Sequence, residues 1–280
     1  MTFSIVATDG DAWGVAVASK FLGFGSAVPA AAAHVGAIAT QSWANLAYRP
    51  EGLALLRAGR SAQETLDALT AADELRAERQ AGVVDATGGA ATFTGDNCHA
   101  WAGGVTGSVD GRWGYAIQGN ILTGPEVVEA MEKAWLDTHP RAPLTRRLLA
   151  AIRAGDDAGG DRRGRQSAAL LVVTEDGGYG GGSDVFADLR VDDHERPVDE
   201  LARLLDLHDI YFGKADPATA LPLQGELERE VRDRLAGLGH TSESLDAALA
   251  DWAGIENYEE RLILGHIDPL VLTQLRAKTT

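Results

Sequence analysis

The sequence is short of cysteine, of basic residues and of long apolar runs, and each shortage closes off a class of function. Cys98 is the single cysteine of the 280 residues, so no intrachain disulfide can form and no thiolate cluster can hold a metal. The seven histidines show no H-x-x-x-H or H-x-H spacing, so no structural zinc site is expected. Lysine and arginine number 25 against 41 aspartates and glutamates, a formal net charge of −16. Such a surface repels phosphate, which argues against nucleic acid and anionic membrane as partners. No apolar run approaches the roughly 18 residues of a membrane span. The most apolar stretch, 27–40, is broken by Pro29, His34 and Gly36. The chain opens without a basic n-region and apolar h-region. Together these features predict a cytoplasmic protein.

The rest of the composition, 45% hydrophobic and 24% charged, is that of a folded protein with one large domain and room for a small appendage. The chain begins Met1-Thr2-Phe3-Ser4-Ile5-Val6-Ala7. Its alternating, β-prone pattern predicts a buried first strand over 2–8. Initiator methionine is normally excised ahead of a small residue, so Thr2 is expected as the mature N-terminus. A terminal threonine carries a hydroxyl and, on the same residue, an α-amine with a pKa of about 8 that can act as its base. The alternative is that Thr2 only opens a strand.

Asp9-Gly10-Asp11 reads as a turn, and Trp13–Ser19 returns as strand two of a hairpin. Further strands are predicted at 34–42, 80–86, 90–95, 115–119, 168–173 and 184–191. Helices are predicted from Pro50, from the capping box Ser61-Ala62-Gln63-Glu64, over 126–137 and 144–154, and from Pro197. Hairpins imply antiparallel sheets, and helices arriving in pairs between strand groups suit outer layers, so two stacked sheets flanked by helices is the expected packing. Residues 213–223 read as a linker between a main domain, 1–212, and a helical module, 224–280. In that module Gly239 is placed as a helix cap, and Asp268-Pro269 as an N-cap followed by proline at the first helical position.

Several strings carry a family resemblance. TFSIVA (2–7), WGVAVASKFLGFGS (13–26), VGAIATQSWAN (35–45), QGNIL (118–122), GGDRRGRQSAALLVV (159–173) and DLRVDDH (188–194) occur in order over about residues 1–210. The main domain resembles the bacterial family catalogued as domain of unknown function 1028, which is grouped with the N-terminal-nucleophile (Ntn) hydrolases. The resemblance implies an α+β fold, a four-layer αββα sandwich. It also implies an amide-bond hydrolase whose nucleophile is the first residue of the mature chain, a position matched here by Thr2. RLAGLGH (234–240) and IDPLVLTQL (267–275) look like a peptidoglycan-binding domain often attached to this family. A helical docking or dimerisation module is an equal reading of that stretch.

The candidate site gathers around Thr2. Lys20 follows the strand that pairs with the first, where an ammonium would favour a neutral, basic amine; the alternative is a solvated loop charge. Gln41, Asn45 and Asn120 are strand-end amides that can build an oxyanion hole, Asn120 above all, or can simply shape turns. In the single basic cluster, Arg162-Arg163-Gly164-Arg165, Arg165 is a candidate carboxylate anchor, with internal pairing to nearby carboxylates as the rival reading. Gln166 and Ser167 enter the next strand and can face the site. Ser4 reads as structural, His34 as a strand-start or core residue, and Cys98 as a small apolar residue. The expectation is an Ntn amidohydrolase with no cofactor or metal, acting on a small anionic amide or peptide-like substrate through an acyl-enzyme on Thr2. The rivals are a non-catalytic binding or assembly protein, and an enzyme that processes peptidoglycan fragments in the cytoplasm. Glycine-rich edges and the helical appendage make a homo-oligomer, a dimer, the expected assembly.

Overall fold

The structure, a computed structural model, describes residues 2–279. Met1, whose removal the sequence predicts, lies outside the described residues. Strands β1 (Thr2–Thr8) and β2 (Ala12–Ser19) form the expected hairpin. Its turn is held by Asp9, whose Oδ1 accepts from the N–H groups of Asp11 and Ala12 at 3.2 and 2.9 Å. Gly10 supplies the left-handed φ of 94° that the turn needs.

Strand β3 (Pro29–Ala32) was not expected from the sequence, because proline and three alanines carry no β-branched alternation. It precedes β4 (Gly36–Ser42), which starts later than the predicted His34 because His34, at φ 59°, belongs to the turn between them. Helices α1 (Tyr48–Arg57) and α2 (Ala62–Ala71) follow. The capping box of α2 forms in both directions: Ser61 Oγ accepts from Glu64 N–H, and Glu64 Oε2 accepts from Ser61 N–H at 2.9 Å.

Then come β5 (Arg79–Asp85), β6 (Ala90–Thr94), β7 (Gly103–Val109) and β8 (Trp113–Asn120). β7 also escaped the sequence reading, since GGVTGSV looks like loop. Helices α3 (Glu126–Asp137) and α4 (Leu144–Asp157), strands β9 (Ser167–Thr174) and β10 (Val185–Val191), and helix α5 (Pro197–Tyr211) complete this part.

All the strand pairs are antiparallel. One sheet has the order β10-β9-β2-β1-β8-β7 and the other β3-β4-β5-β6, so the chain is a mixed α+β protein built on antiparallel sheets and helices. The two faces of β1 have different neighbours, as strand alternation requires. Phe3 turns its ring toward Gly155 on α4 and Gly160 just beyond it. Val6, on the opposite face, shares an apolar cluster with Ala37, Ala39 and Val84 of the four-stranded sheet. The other face of that sheet is covered by α1 and α2, where Tyr48, Leu56, Leu66 and Leu69 pack on Ile38 and Val83.

The chain divides into two compact units between Leu204 and Leu205, within α5. The second unit contains β11 (Leu221–Pro222), α6 (Gly225–Gly237), α7 (Leu245–Glu256), β12 (His266–Ile267) and α8 (Pro269–Lys278). Leu221 and Pro222, from the expected linker, pair with Ile267 and His266. The core of the unit is Val231, Leu235, Leu249, Trp252, Leu272 and Leu275. Gly239 closes α6 at φ 91°, its N–H bonded to Ala236 O while His240 N–H reaches Leu235 O, a Schellman motif. Asp268 caps α8 with Oδ1, which accepts from Leu270 N–H at 2.7 Å, and with Oδ2 it pairs with the buried Arg261 at 2.9 Å.

Candidate active site

The site starts from strand register. The turn at Asp9–Ala12 sets Thr2 opposite Ser19 on β2; β8 sets Asn120 on the other side of Thr2, and β9 sets Ser167 beside Ser19. Directly opposed residues share a face. Four adjacent strands therefore end in a row of hydroxyl and amide side chains, Ser167–Ser19–Thr2–Asn120, on the face where Val6 meets the other sheet. Every member is buried, Thr2 completely. Thr2 Oγ1 lies 3.1 Å from Ser19 Oγ.

A second polar row faces the first. On the four-stranded sheet Gln41 pairs with Gln80, and Gln80 with Thr94. Gln41 Nε2 donates to Gln80 Oε1 at 2.8 Å and to Thr2 O at 3.2 Å. Asn120 Nδ2 donates to Gln80 Oε1 at 2.8 Å, and Gln80 Nε2 donates to Gly119 O at 2.7 Å. One register step inward, Ser4 Oγ donates to Gln41 Oε1 at 2.7 Å and accepts from Gln118 Nε2 at 2.6 Å. Gln118 occupies room left by a missing side chain, since a Cβ on Gly82 would sit 2.1 Å from Gln118 Oε1. Apart from Asn120 Oδ1, the interior amides thus find partners in one another and in the nearby backbone, as buried polar groups generally do.

The structure therefore brings Thr2, Asn120, Gln41 and Ser167 together and leaves other candidates outside. Lys20 lies one residue past the register row; its backbone N–H donates to Asp161 Oδ2 at 3.0 Å and its Nζ to Arg165 O at 3.2 Å, while the side chain at Thr2 Oγ1 is Ser19. Arg165 is committed to Asp156, with Nε at 2.7 and 2.8 Å from the two carboxylate oxygens. Arg163 is committed to the buried Asp161. Arg162 donates its backbone N–H to Ile121 O, the residue after Asn120, and its exposed side chain has no partner among the described residues. Gln166 donates its N–H to Ser19 O and is half-buried. Asn45 does turn chemistry: Nδ2 donates to Asp73 Oδ2 at 2.9 Å, and Oδ1 accepts from Ala47 N–H. His34 sits at the other end of the strands, its ring 5.5 Å from that of Trp13.

Ile121 has φ 50°, and Ser42, the residue after Gln41, has φ 70°. Left-handed backbone is uncommon for any residue with a side chain and an outlier for a β-branched one. Such strain persists where the surroundings impose it, and functional sites are frequent examples. Here Ile121 is pinned by its N–H to His99 O and by its own carbonyl to Arg162 N–H.

The charged groups nearby are structural. The Arg79 guanidinium, 2.9 Å from Asp73, holds that carboxyl well below the usual carboxylate range, helped by Asn45. Burial pushes up the Tyr48 hydroxyl and the Cys98 thiol. A raised thiol pKa is the opposite of what a nucleophilic cysteine needs. Among the described residues no group of three or more His, Cys, Asp or Glu could hold a metal ion, and no helix is long and apolar enough to cross a membrane. A cavity of about 320 Å³ lined by Glu74, Arg76, Phe93 and Asp96 touches this network only through Thr94.

Comparison with known proteins settles the family. Residues 2–201 match the model of a family of unknown function, DUF1028. The chain belongs to this family. The crystal structure of the DUF1028 protein SPO2555 from Silicibacter pomeroyi is similar at a TM-score of 0.65 and 29% identity, over 82% of this chain and 92% of that one. Residues 211–275 match a family described as "Putative peptidoglycan binding domain". No curated protein matches the chain.

Within the DUF1028 domain, sequence reasoning missed Gln80, Gln118 and Ser19 as parts of the site. Ser19 could have been found by counting the hairpin register out from Asp9–Ala12. The two glutamines carry a weaker signal: each interrupts an otherwise apolar strand, AGVV after Gln80 and YAI before Gln118.

Proposed function

We propose that this DUF1028 protein is an Ntn-type amidohydrolase, with its helices and sheets in the αββα order of that class and Thr2 as nucleophile. The observation that carries the reading is the position of Thr2. It opens the central strand β1, is fully buried on the face toward the second sheet, and is flanked by Ser19 and Asn120 in one register row.

In the proposed reaction Thr2 Oγ1 attacks the amide carbonyl carbon while its proton passes to the α-amine freed by loss of Met1. The C–N bond breaks as the leaving nitrogen takes that proton, which leaves an ester on Thr2. Water then attacks the ester, the acid departs and Thr2 regains its hydrogen. The anchor for a substrate carboxylate passes from Arg165, held by Asp156, to Arg162, whose side chain is uncommitted.

Intact mass before and after exposure to a β-lactone tests the reading. The expected result is a chain lacking Met1 that gains a single acyl group mapping to Thr2. Retained Met1 and no adduct would sink it and favour a binding or assembly role.

The match over residues 211–275 supports a second, compatible reading, that the C-terminal region recognises peptidoglycan fragments. Calorimetric titration of the full chain with muropeptides tests it; no binding at millimolar ligand would reject it.

A further inference from the structure

Asn120 carries the one feature of the site that the network does not satisfy. It is 1% exposed and is the register partner of Thr2, yet its Oδ1 has no hydrogen-bond partner among the described residues. A buried acceptor left unpaired is costly, and each such atom in a folded protein calls for an explanation.

The polarity of the free atom is fixed by its neighbours. Gln80 spends its Nε2 on Gly119 O at 2.7 Å, Thr94 Oγ1 at 2.9 Å and Gly103 O at 3.3 Å, so its Oε1 must face Gln41 and Asn120. Gln41 is fixed in the same sense, because its Nε2 meets Gln80 Oε1, Thr2 O and Gln118 O, while its Oε1 takes the hydrogen of Ser4 Oγ. Reversing the Asn120 amide would set two oxygens against each other at Gln80, and reversing Gln80 would set NH2 against NH2. The chain Ser4–Gln41–Gln80–Asn120 thus ends in an acceptor beside Thr2. An oxyanion hole needs a donor, so an oxyanion role for Asn120 would fall to the second hydrogen on Nδ2 and leaves the free Oδ1 to another task.

We propose that Asn120 is a positioning residue for the Thr2 α-amine. Its Oδ1 accepts one amine hydrogen and turns the nitrogen lone pair toward Thr2 Oγ1. The proposal rests on the Ntn reading above, in which loss of Met1 creates that amine next to a waiting acceptor. The Gln41–Gln80 pair acts through Asn120 by fixing which end of its amide is presented.

The test measures β-lactone acylation of full-length, Met1-processed protein by intact mass. Wild type, Asn120→Ala and Asn120→Asp are compared, with a crystal structure of the processed wild type. Acylation of Asn120→Ala is expected to be about 10- to 100-fold slower, the scale of misplacing a reacting group. Asn120→Asp keeps an oxygen toward Thr2 and, buried against Gln80 Oε1, takes up a proton that replaces the Nδ2 hydrogen there, so it is expected to stay within several-fold of wild type. The structure is expected to show Thr2 N within about 3.2 Å of Asn120 Oδ1. Unchanged acylation in Asn120→Ala, equal losses in both variants, or an amine turned away from Oδ1 would overturn the proposal while the wild type still labels. If either variant fails to fold, the wild-type distance decides alone. Absence of labelling in the wild type would instead remove the Ntn reading, so the two failures are distinguishable.

Discussion

The two ends of β1 are built from opposite chemistry, although they lie in the same strand and meet the same neighbouring sheet. Toward Thr8 the face carries Val6, with Val15, Trp13 and Val84 around it, and the polar contacts there are few: Thr8 Oγ1 donates to Ala12 O at 2.7 Å and Trp13 Nε1 to Asp85 O at 3.2 Å. Toward Thr2 the same face carries Ser4, Gln41, Gln80, Gln118 and Asn120, all buried and nearly all mutually bonded. Apolar packing is tolerant of small rearrangements, whereas an amide network accepts few orientations. The apolar end supplies stability, and the polar end supplies a defined geometry around one hydroxyl.

Substitutions can break this division or sharpen it. The largest expected effect is that of Thr2→Ala, which should abolish acylation, by at least about 10³-fold, with little change in melting temperature. Full labelling of that variant elsewhere would move the nucleophile out of the polar end altogether. Gln80→Leu comes next: it strips partners from Asn120 Nδ2, Gln41 and Gly119 O, so a loss of about 3 kcal/mol in urea unfolding is expected, together with slower acylation.

Asp73→Asn should cost about 2 kcal/mol at pH 7. The Asp73 carboxyl is held below its unfolded pKa of about 3.9, so its contribution is complete above that pH and fades as pH falls toward the folded value. The gap between wild type and variant should therefore shrink as pH falls below about 4; a gap that keeps its full size at pH 2 would contradict this origin. Val84→Ala is expected to cost about 1.5 kcal/mol through lost burial and a small cavity, and to leave acylation unchanged. Slowed acylation in Val84→Ala would show that the two ends are not separable.

Much of the fold was legible because its signals are local. The β1–β2 hairpin, the Ser61–Glu64 capping box and the Asp268-Pro269 helix start each depend on residues within one turn of one another. β3 and β7 were not legible, because alanine- and glycine-rich strands are set by the neighbours they pair with and not by their own propensity. The site divides in the same way. Thr2 was visible from its place in the chain. Lys20 draws notice by its charge, yet a one-residue step in register carries its side chain out of the row that Ser19 occupies. Gln80 and Gln118 were invisible because their partners, Asn120 for the one and Thr92 for the other, lie across the two facing sheets. The orientation of the Asn120 amide depends on the Gln80 contact in turn.

Gly82 has a consequence for how this protein can vary. Its missing side chain is the space that the Gln118 amide fills, and Gln118 holds Ser4, which holds Gln41. A methyl group at position 82 evicts the glutamine, and a shorter residue at 118 leaves a hole above the glycine. Neither position can drift alone without passing through a damaged intermediate. The two are expected to change together, so lineages of this fold that exchange one should be found to have exchanged the other.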